Sequence, residues 1–310
     1  LVSAEALAKI LQAAYALHEV RCQLIQATMR DVYRVTSERQ TYILFIYRHQ
    51  QRTPEEITAE WKFIDYLYTQ DIPVAPAVRQ NTGELLLTLA APEGTRYAVL
   101  STFVDGQHLR HRYSIEAVRR YGHHIGRIHT LSDVIAHHFT RPCNDFHFVV
   151  EQSLTALAPL LWHRQADLNY LWDIASVIRL KFNALPQKAP YYGMIHGDVI
   201  RANAQVSDDG SVTVLDFDLC GLGWRAYDVA SYLQVAGTEE AKRAFLTGYQ
   251  EIRKLSSQEQ SLLPVFEATR HIFSLGVPAM NAQHWSRTCI TDTTIDTSLN
   301  GLKRCMAKAV

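Results

Sequence analysis

The sequence predicts an α+β fold in two lobes, a small antiparallel-sheet lobe followed by a larger, mostly helical one. Three observations carry this. The segments Cys22–Thr28, Val32–Ser37 and Thr41–Tyr47 are short, closely spaced and rich in Ile, Val, Tyr and Thr, as in a strand meander. From Ser114 onward apolar residues recur mostly at helical spacing. At 310 residues the chain is long enough for two cores. Asp105-Gly106 marks the boundary, giving lobes of residues 1–105 and 106–310.

The first twenty residues read as an amphipathic helix with Glu5, Lys9, His18 and Glu19 among its polar positions. They lack a basic start followed by a short apolar core, so they do not read as a secretory signal. After the three strands, Thr53-Pro54-Glu55-Glu56 has the residues of a helix start: an N-cap Thr, Pro at the first helical position and Glu at the third. This helix runs to about Gln70, with Ile57, Ile64, Leu67 and Tyr68 on its apolar stripe. Glu60 lies on that stripe, three residues after Ile57 and four before Ile64. A carboxylate facing a core requires a cation. Ala77–Gln80 and Leu85–Leu89 flank Asn81-Thr82-Gly83 as a second hairpin, and Arg96–Val104 reads as a buried strand.

Helices are predicted over Ser114–Leu131, Phe148–Trp162 and Leu168–Leu185, with Trp162, Trp172 and Phe182 as core residues. Tyr191–His196 is a strand. Arg225–Val235, Glu239–Arg253, Gln258–Phe273 and Ser298–Ala309 are further helices.

The chemistry concentrates in Ile195–Asp228. His196-Gly197-Asp198 is followed five residues later by Asn203, and thirteen beyond that by Asp216-Phe217-Asp218. Between them, Ala204–Ser207 and Ser211–Leu215 flank Asp208-Asp209-Gly210, a hairpin signal. The hairpin returns the chain to its start, so Asp216 arrives beside Asn203. Kinase chemistry needs such a set: a carboxylate to receive the acceptor's proton, and a carboxamide and second carboxylate to hold Mg²⁺ against phosphates. Asp and Asn as ordinary turn residues would account for Asp208 and Asp209, but not for the whole spacing.

HGDVIRAN followed by LDFDLCGLGWRAYDVA resembles the aminoglycoside phosphotransferase and choline-kinase-like family, especially its homoserine-kinase-like and spectinomycin-phosphotransferase-like members. The resemblance implies a bilobal protein-kinase-like fold and an ATP- and Mg²⁺-dependent transfer to a small-molecule hydroxyl acceptor. It implies Asp198 as catalytic base, Asn203 and Asp216 as metal ligands, and Asp228 as the brace of the catalytic loop. It makes His196 structural and leaves Asp218 either orienting the loop, touching a second ion or lying exposed in a turn. The backbone of Ser101, Phe103 and Val104 would meet the adenine, and Glu60 would pair with a strand lysine.

That lysine is missing, because Phe45 occupies its position in TYILFIYR. Arg48, three residues on, lies on the opposite strand face. With Glu38-Arg39 as a two-residue loop, Arg34 stands opposite Ile43 on the face of Phe45, and we expect it to supply the cation, with Arg30 in reserve. The missing lysine also keeps open a second reading, a nucleotide-binding pseudokinase with little transfer activity.

Formal net charge is zero, from 31 basic and 31 acidic side chains, which argues against a nucleic-acid binder relying on bulk positive charge. No apolar run approaches the roughly 20 residues of a membrane span. Cys22, Cys143, Cys220, Cys289 and Cys305 form no Cys-x-x-Cys pair and read as reduced thiols of a cytoplasmic protein. His123-His124 and His137-His138 lack zinc-type spacing. The acceptor pocket is expected around Trp224, Glu239 and Asn281–Thr291, where the mixed run Gln283–Arg287 disfavours a highly cationic acceptor.

Overall fold

The structure, a computed structural model, describes residues 3–135, 139, 141–280 and 288–309. The chain divides into two compact units, Leu1–Gly106 and Gln107–Val310.

In the first unit, helix α1 (Ala4–Tyr15) starts at Ser3, whose hydroxyl accepts from the Ala6 N–H at 3.2 Å. It buries Leu7, Leu11 and Tyr15 against the sheet. Strands β1 (Arg21–Ala27), β2 (Asp31–Thr36) and β3 (Thr41–Ile46) form the antiparallel meander. Along β2, Tyr33 and Val35 join Leu44 and Ile46 in the core, while Arg34 is exposed on the other face. Helix α2 (Pro54–Thr69) has the full capping box at Thr53 and Glu56. Then come β4 (Ala77–Val78), β5 (Leu87–Ala91) and β6 (Gly94–Thr102).

The sheet order is β1-β2-β3-β6-β4, with β5 also along β6. The second hairpin therefore needs correction. A turn closes between Gln80 and Glu84, but the flanking strands pair with different stretches of β6 rather than with each other. The long strand β6 offers more backbone partners than either short segment offers the other.

The second unit opens with β7 (Gln107–His108) and α3 (Ile115–Ile135). A π-helical turn, His147–Gln152, leads into α4 (Ser153–Leu157), and α5 (Gln165–Asn183) follows. Next are β8 (Tyr192–Ile195), β9 (Ala204–Val206), β10 (Val212–Val214) and β11 (Gly221–Trp224). Helices α6 (Arg225–Val235), α7 (Glu239–Ile252), α8 (Ser257–Met280) and α9 (Asp292–Lys308) complete it. The hairpin β9–β10 takes β7 on its outer edge, and β8 pairs with β11. Helix α3 lies directly on α7. A Cβ at Gly248 would meet the Arg119 carbonyl oxygen at 1.8 Å, so the contact requires glycine.

Two aromatic expectations fare differently. Phe182 is buried among Trp224 and Phe266 at centroid distances of 4.8 and 4.9 Å. Trp162 is 77% exposed and Trp172 37%, because Trp162 lies beyond the end of its helix and Trp172 on the outer side of α5. No helix among the described residues is long and apolar enough to cross a membrane.

Candidate active site

Strand β8 delivers His196-Gly197-Asp198 into a loop held from behind by Asp228, in the first turn of α6. Asp228 is fully buried. Its Oδ2 accepts from the His196 N–H at 2.7 Å and its Oδ1 from the Gly197 N–H at 2.8 Å. His129 of α3 adds a third contact, Nε2 to Oδ2 at 3.0 Å, while its Nδ1 meets the Tyr249 hydroxyl at 2.9 Å. Burial alone would raise the Asp228 pKa, but His129 and His196 hold it below the usual aspartate value. Burial pushes His129 down to about 4. The neutral imidazole therefore donates to Asp228 and accepts from Tyr249. Gly197 has φ +82°, and a Cβ there would meet the Leu219 carbonyl at 2.2 Å, so this turn admits only glycine.

His196 ties the loop to the far end of the hairpin. Its Nε2 donates to the Leu215 carbonyl at 2.9 Å, and its Nδ1 accepts from the Asp198 N–H at 3.2 Å. Leu215 in turn donates its N–H to the Asn203 carbonyl at 2.9 Å. The hairpin closes as read from the sequence, and Asp216 follows directly at φ +62°, a left-handed conformation that Asp tolerates better than most residues. Asn203 Nδ2 donates to both the Asp198 backbone carbonyl and Asp198 Oδ2, each at 2.9 Å. This leaves the Asn203 amide oxygen as the acceptor end of that side chain. Asp218 is 8% exposed, not a solvated turn residue, and its backbone carbonyl receives a guanidinium hydrogen bond from Arg141.

The other oxygen of Asp198 is taken by a residue with no place in the sequence reading. Arg270, on α8, donates from Nη2 to Asp198 Oδ1 at 2.7 Å. Its Nη1 reaches the Tyr227 hydroxyl at 3.2 Å and the Gly197 carbonyl at 3.4 Å. Burial opposes its charge, but Tyr227 and Asp198 outweigh burial and raise its pKa. The signal that could have found it is the one that singled out Glu60: a charge on the buried stripe Leu262, Phe266, Arg270, Phe273.

In the first unit Glu60 is fully buried, and its cation is Arg30, Nη1 to Oε1 at 3.2 Å. The Arg30 guanidinium lies over the Phe45 ring at 4.2 Å and also meets the Tyr47 hydroxyl at 3.3 Å. The expectation for Arg34 is thus corrected. Its register is as predicted, opposite Ile43, but its guanidinium lies over the Phe103 ring at 5.0 Å. Phe45 stands opposite Val32, so Arg34 starts two residues away from it toward the Glu38-Arg39 turn. Arg30, entering from the other end of β2, folds back onto the phenyl face. Arg48 turns instead to Asp31 and the Thr28 carbonyl. Ser101 and its two partners in the adenine expectation occupy different places. Ser101 lies within the sheet between Ile43 and Ala77, its hydroxyl on the Ala75 and Pro76 carbonyls, whereas Phe103 and Val104 follow the strand's end.

Residues 22–260 match the profile of the phosphotransferase enzyme family. The chain belongs to that family. An uncharacterised protein of Synechocystis is 31% identical over 260 residues, covering 83% of this chain and 72% of its own. The amicoumacin kinase of Bacillus subtilis is 23% identical over 263 residues, 79% of this chain and 76% of the relative. Among solved structures, an amicoumacin kinase in complex with AMP-PNP and Ca²⁺ superposes with a TM-score of 0.78 at 19% identity, covering 99% of this chain and 94% of its own. A microcompartment-associated aminopropanol kinase gives 0.73 at 20% identity, covering 97% and 95%. At these identities the structures establish the fold, the kinase-like α+β fold with its antiparallel sheet and helical region.

In this phosphotransferase the donor set around Asp198 suits a hard cation. Asn203 offers a carboxamide oxygen and Asp216 a carboxylate, few protein groups, as Mg²⁺ shared with phosphates requires. No cluster of three or more His, Cys, Asp or Glu with metal-holding geometry occurs among the described residues. Of the acceptor segments expected, Trp224 is 3% exposed and belongs to an aromatic core with Phe182 and Tyr192. Glu239 is exposed at the start of α7 and pairs with Lys242. His137-His138 and Asn281–Arg287 lie outside the described residues.

Proposed function

We propose that the chain is an ATP- and Mg²⁺-dependent phosphotransferase that moves the γ-phosphate to a hydroxyl of a small molecule in the cytoplasm. The observation that carries this reading is the Asp198 carboxylate, held by Asn203 on one oxygen and Arg270 on the other, with Asp216 at the end of the same hairpin. Asp198 is half-exposed, so it remains open to an acceptor while its partners are buried.

The acceptor hydroxyl oxygen forms a bond to the γ-phosphorus as the bond from that phosphorus to the bridging oxygen of ADP breaks. Asp198 receives the hydroxyl proton. Mg²⁺ held by Asn203 and Asp216 would neutralise charge on the phosphate oxygens. Arg30, buttressed by Glu60, is the phosphate cation in place of a strand lysine, since a guanidinium can bind phosphate bidentately. Phe103 and Val104 serve the nucleotide base through the backbone. Residues 1–105 thus supply nucleotide contacts and residues 106–310 the base, the metal ligands and the acceptor pocket.

Arg30 also removes the motive for the pseudokinase reading, because the position left empty of charge by Phe45 has a guanidinium over its ring. Relatives named for amicoumacin, homoserine and aminopropanol suggest the first acceptors to try. ADP release is measured with Mg·ATP over a panel of hydroxylated metabolites and antibiotics that includes them. One or more should raise it well above the acceptor-free rate. Thermal stabilisation by Mg·ATP with no acceptor-dependent release across the panel would favour the pseudokinase instead.

A further inference from the structure

We infer that Arg270 is the positioning residue that fixes the carboxylate of Asp198 in one rotamer for proton acceptance. The inference rests on the reading of Asp198 as the base in phosphoryl transfer.

An aspartate on a loop has two side-chain torsions to settle, and proton transfer depends on which oxygen faces the acceptor. Two donors restrain Asp198. Asn203 belongs to the same loop and moves with it. Arg270 comes from outside, from α8, a helix of 24 residues packed against α6 and α9. It ties the Asp198 side chain to the helical frame, whereas Asp228 ties only the backbone of the loop.

The grip is two-ended. Nη2 takes Asp198 Oδ1, and Nη1 takes the Gly197 carbonyl and the Tyr227 hydroxyl. Asp228 meanwhile takes the N–H groups of His196 and Gly197. The Gly197 peptide unit and its neighbour are therefore clamped through their donors by α6 and through their acceptor by α8. The aromatic faces of Tyr227 and Phe273 lie 5.5 and 5.6 Å from the guanidinium carbon and limit its motion. Only a planar fork satisfies Asp198 and Gly197 together; the single ammonium of a lysine serves one at a time.

The alternative is a buried ion pair with a merely structural role, in which removing either partner costs stability without a specific loss of turnover. Kinetics separates the two. Arg270→Ala, Arg270→Lys and Arg270→Met are compared with the native chain on an acceptor found by ADP release. Positioning predicts that kcat of Arg270→Ala falls on the order of 100-fold, while the acceptor KM and Mg·ATP affinity stay within about twofold of native. Arg270→Lys keeps a cation for Asp198 and should melt above Arg270→Ala, yet remain well below native kcat. Guanidinium ion, at concentrations below those that unfold the protein, should restore part of the lost kcat to Arg270→Ala. Native kcat in Arg270→Met, or losses in kcat and both affinities together without guanidinium rescue, would overturn the inference.

Failure of the kinase reading has a different signature, a native chain that binds Mg·ATP but phosphorylates nothing in the panel. The pairing is then tested by a thermal-unfolding cycle of Asp198→Asn, Arg270→Met and the double variant. Coupling requires the double variant to melt clearly above the sum of the two single losses. Additive losses would defeat the proposed role of Arg270 as well.

Discussion

Glu60 and Arg30 form a buried ion pair at 3.2 Å that joins α2 to the connection between β1 and β2. The cation that Glu60 requires comes from a loop residue folded over Phe45, rather than from β3. Arg30→Ala should weaken Mg·ATP binding about 10- to 100-fold, the scale of one charge-assisted hydrogen bond. Arg34→Ala should change it less than about twofold. In Arg30→Ala/Phe45→Lys, a strand lysine returns to the face next to Glu60 and should recover part of the affinity. Isothermal titration with a non-hydrolysable ATP analogue measures all three, and equal losses at Arg30 and Arg34 would refute the assignment.

Asp198→Asn should lower kcat by about 10²–10⁴-fold, the usual range for a general base, with Mg·ATP affinity little changed. It keeps an amide oxygen for Arg270, whereas Asp198→Ala leaves that buried guanidinium without its carboxylate. The alanine variant should therefore also melt at a lower temperature than the asparagine variant, as scanning calorimetry would show.

Asp216 tests the metal ligands with a backbone control. Its φ of +62° is tolerated by Asn much better than by Ala. Asp216→Asn should keep the native melting temperature but need a far higher Mg²⁺ concentration for half-maximal activity. Asp216→Ala should lose both. Asn203→Ala should likewise raise the Mg²⁺ requirement. An unchanged Mg²⁺ titration in Asp216→Asn would remove it from the metal site.

One buried and two half-buried histidines make stability depend on pH. Burial pushes His124, His129 and His271 each down to about 4. The unfolded chain binds protons at these positions from about pH 6.5 downward, while the folded chain resists until about 4. Their contribution is therefore complete above pH 6.5 and is lost as pH falls toward 4. Asp228, with its lowered pKa, acts in the same sense at lower pH. Urea midpoints should fall steadily between pH 7 and about 4.5, with net proton uptake on unfolding. A flat profile over that range would contradict the neutral state of these side chains.

Much of the catalytic segment was legible in the sequence because its geometry is local. A hairpin of fixed length brings Asp216 back to Asn203, and Asp228 opens the next helix. The capping box at Thr53 and the burial of Glu60 were legible for the same reason, since helix periodicity fixes a face. Arg30 and Arg34 mark the limit. Strand alternation gave the register of Arg34, but it says nothing of how far a guanidinium turns along the sheet, nor where a loop arginine folds. Nothing within the strand shows that β4 covers the far edge of Ser101. Arg270 meets Asp198 across 72 residues of sequence, and only a tertiary contact between α8 and the loop brings them together. Helical periodicity carries Trp162 into the core only if the helix reaches it, and the helix ends before it.

Transfer of a phosphoryl group, with Asp198 receiving the acceptor's proton, is tested most directly by following the group itself. ATP labelled at the γ-phosphate, Mg²⁺ and an acceptor from the panel are incubated with native protein and with Asp198→Asn, and the label is followed into product. The label should appear on the acceptor hydroxyl with native protein and fall by at least about 100-fold in rate with Asp198→Asn at saturating substrates. Label found solely as inorganic phosphate, or transferred equally fast by both proteins, would contradict it.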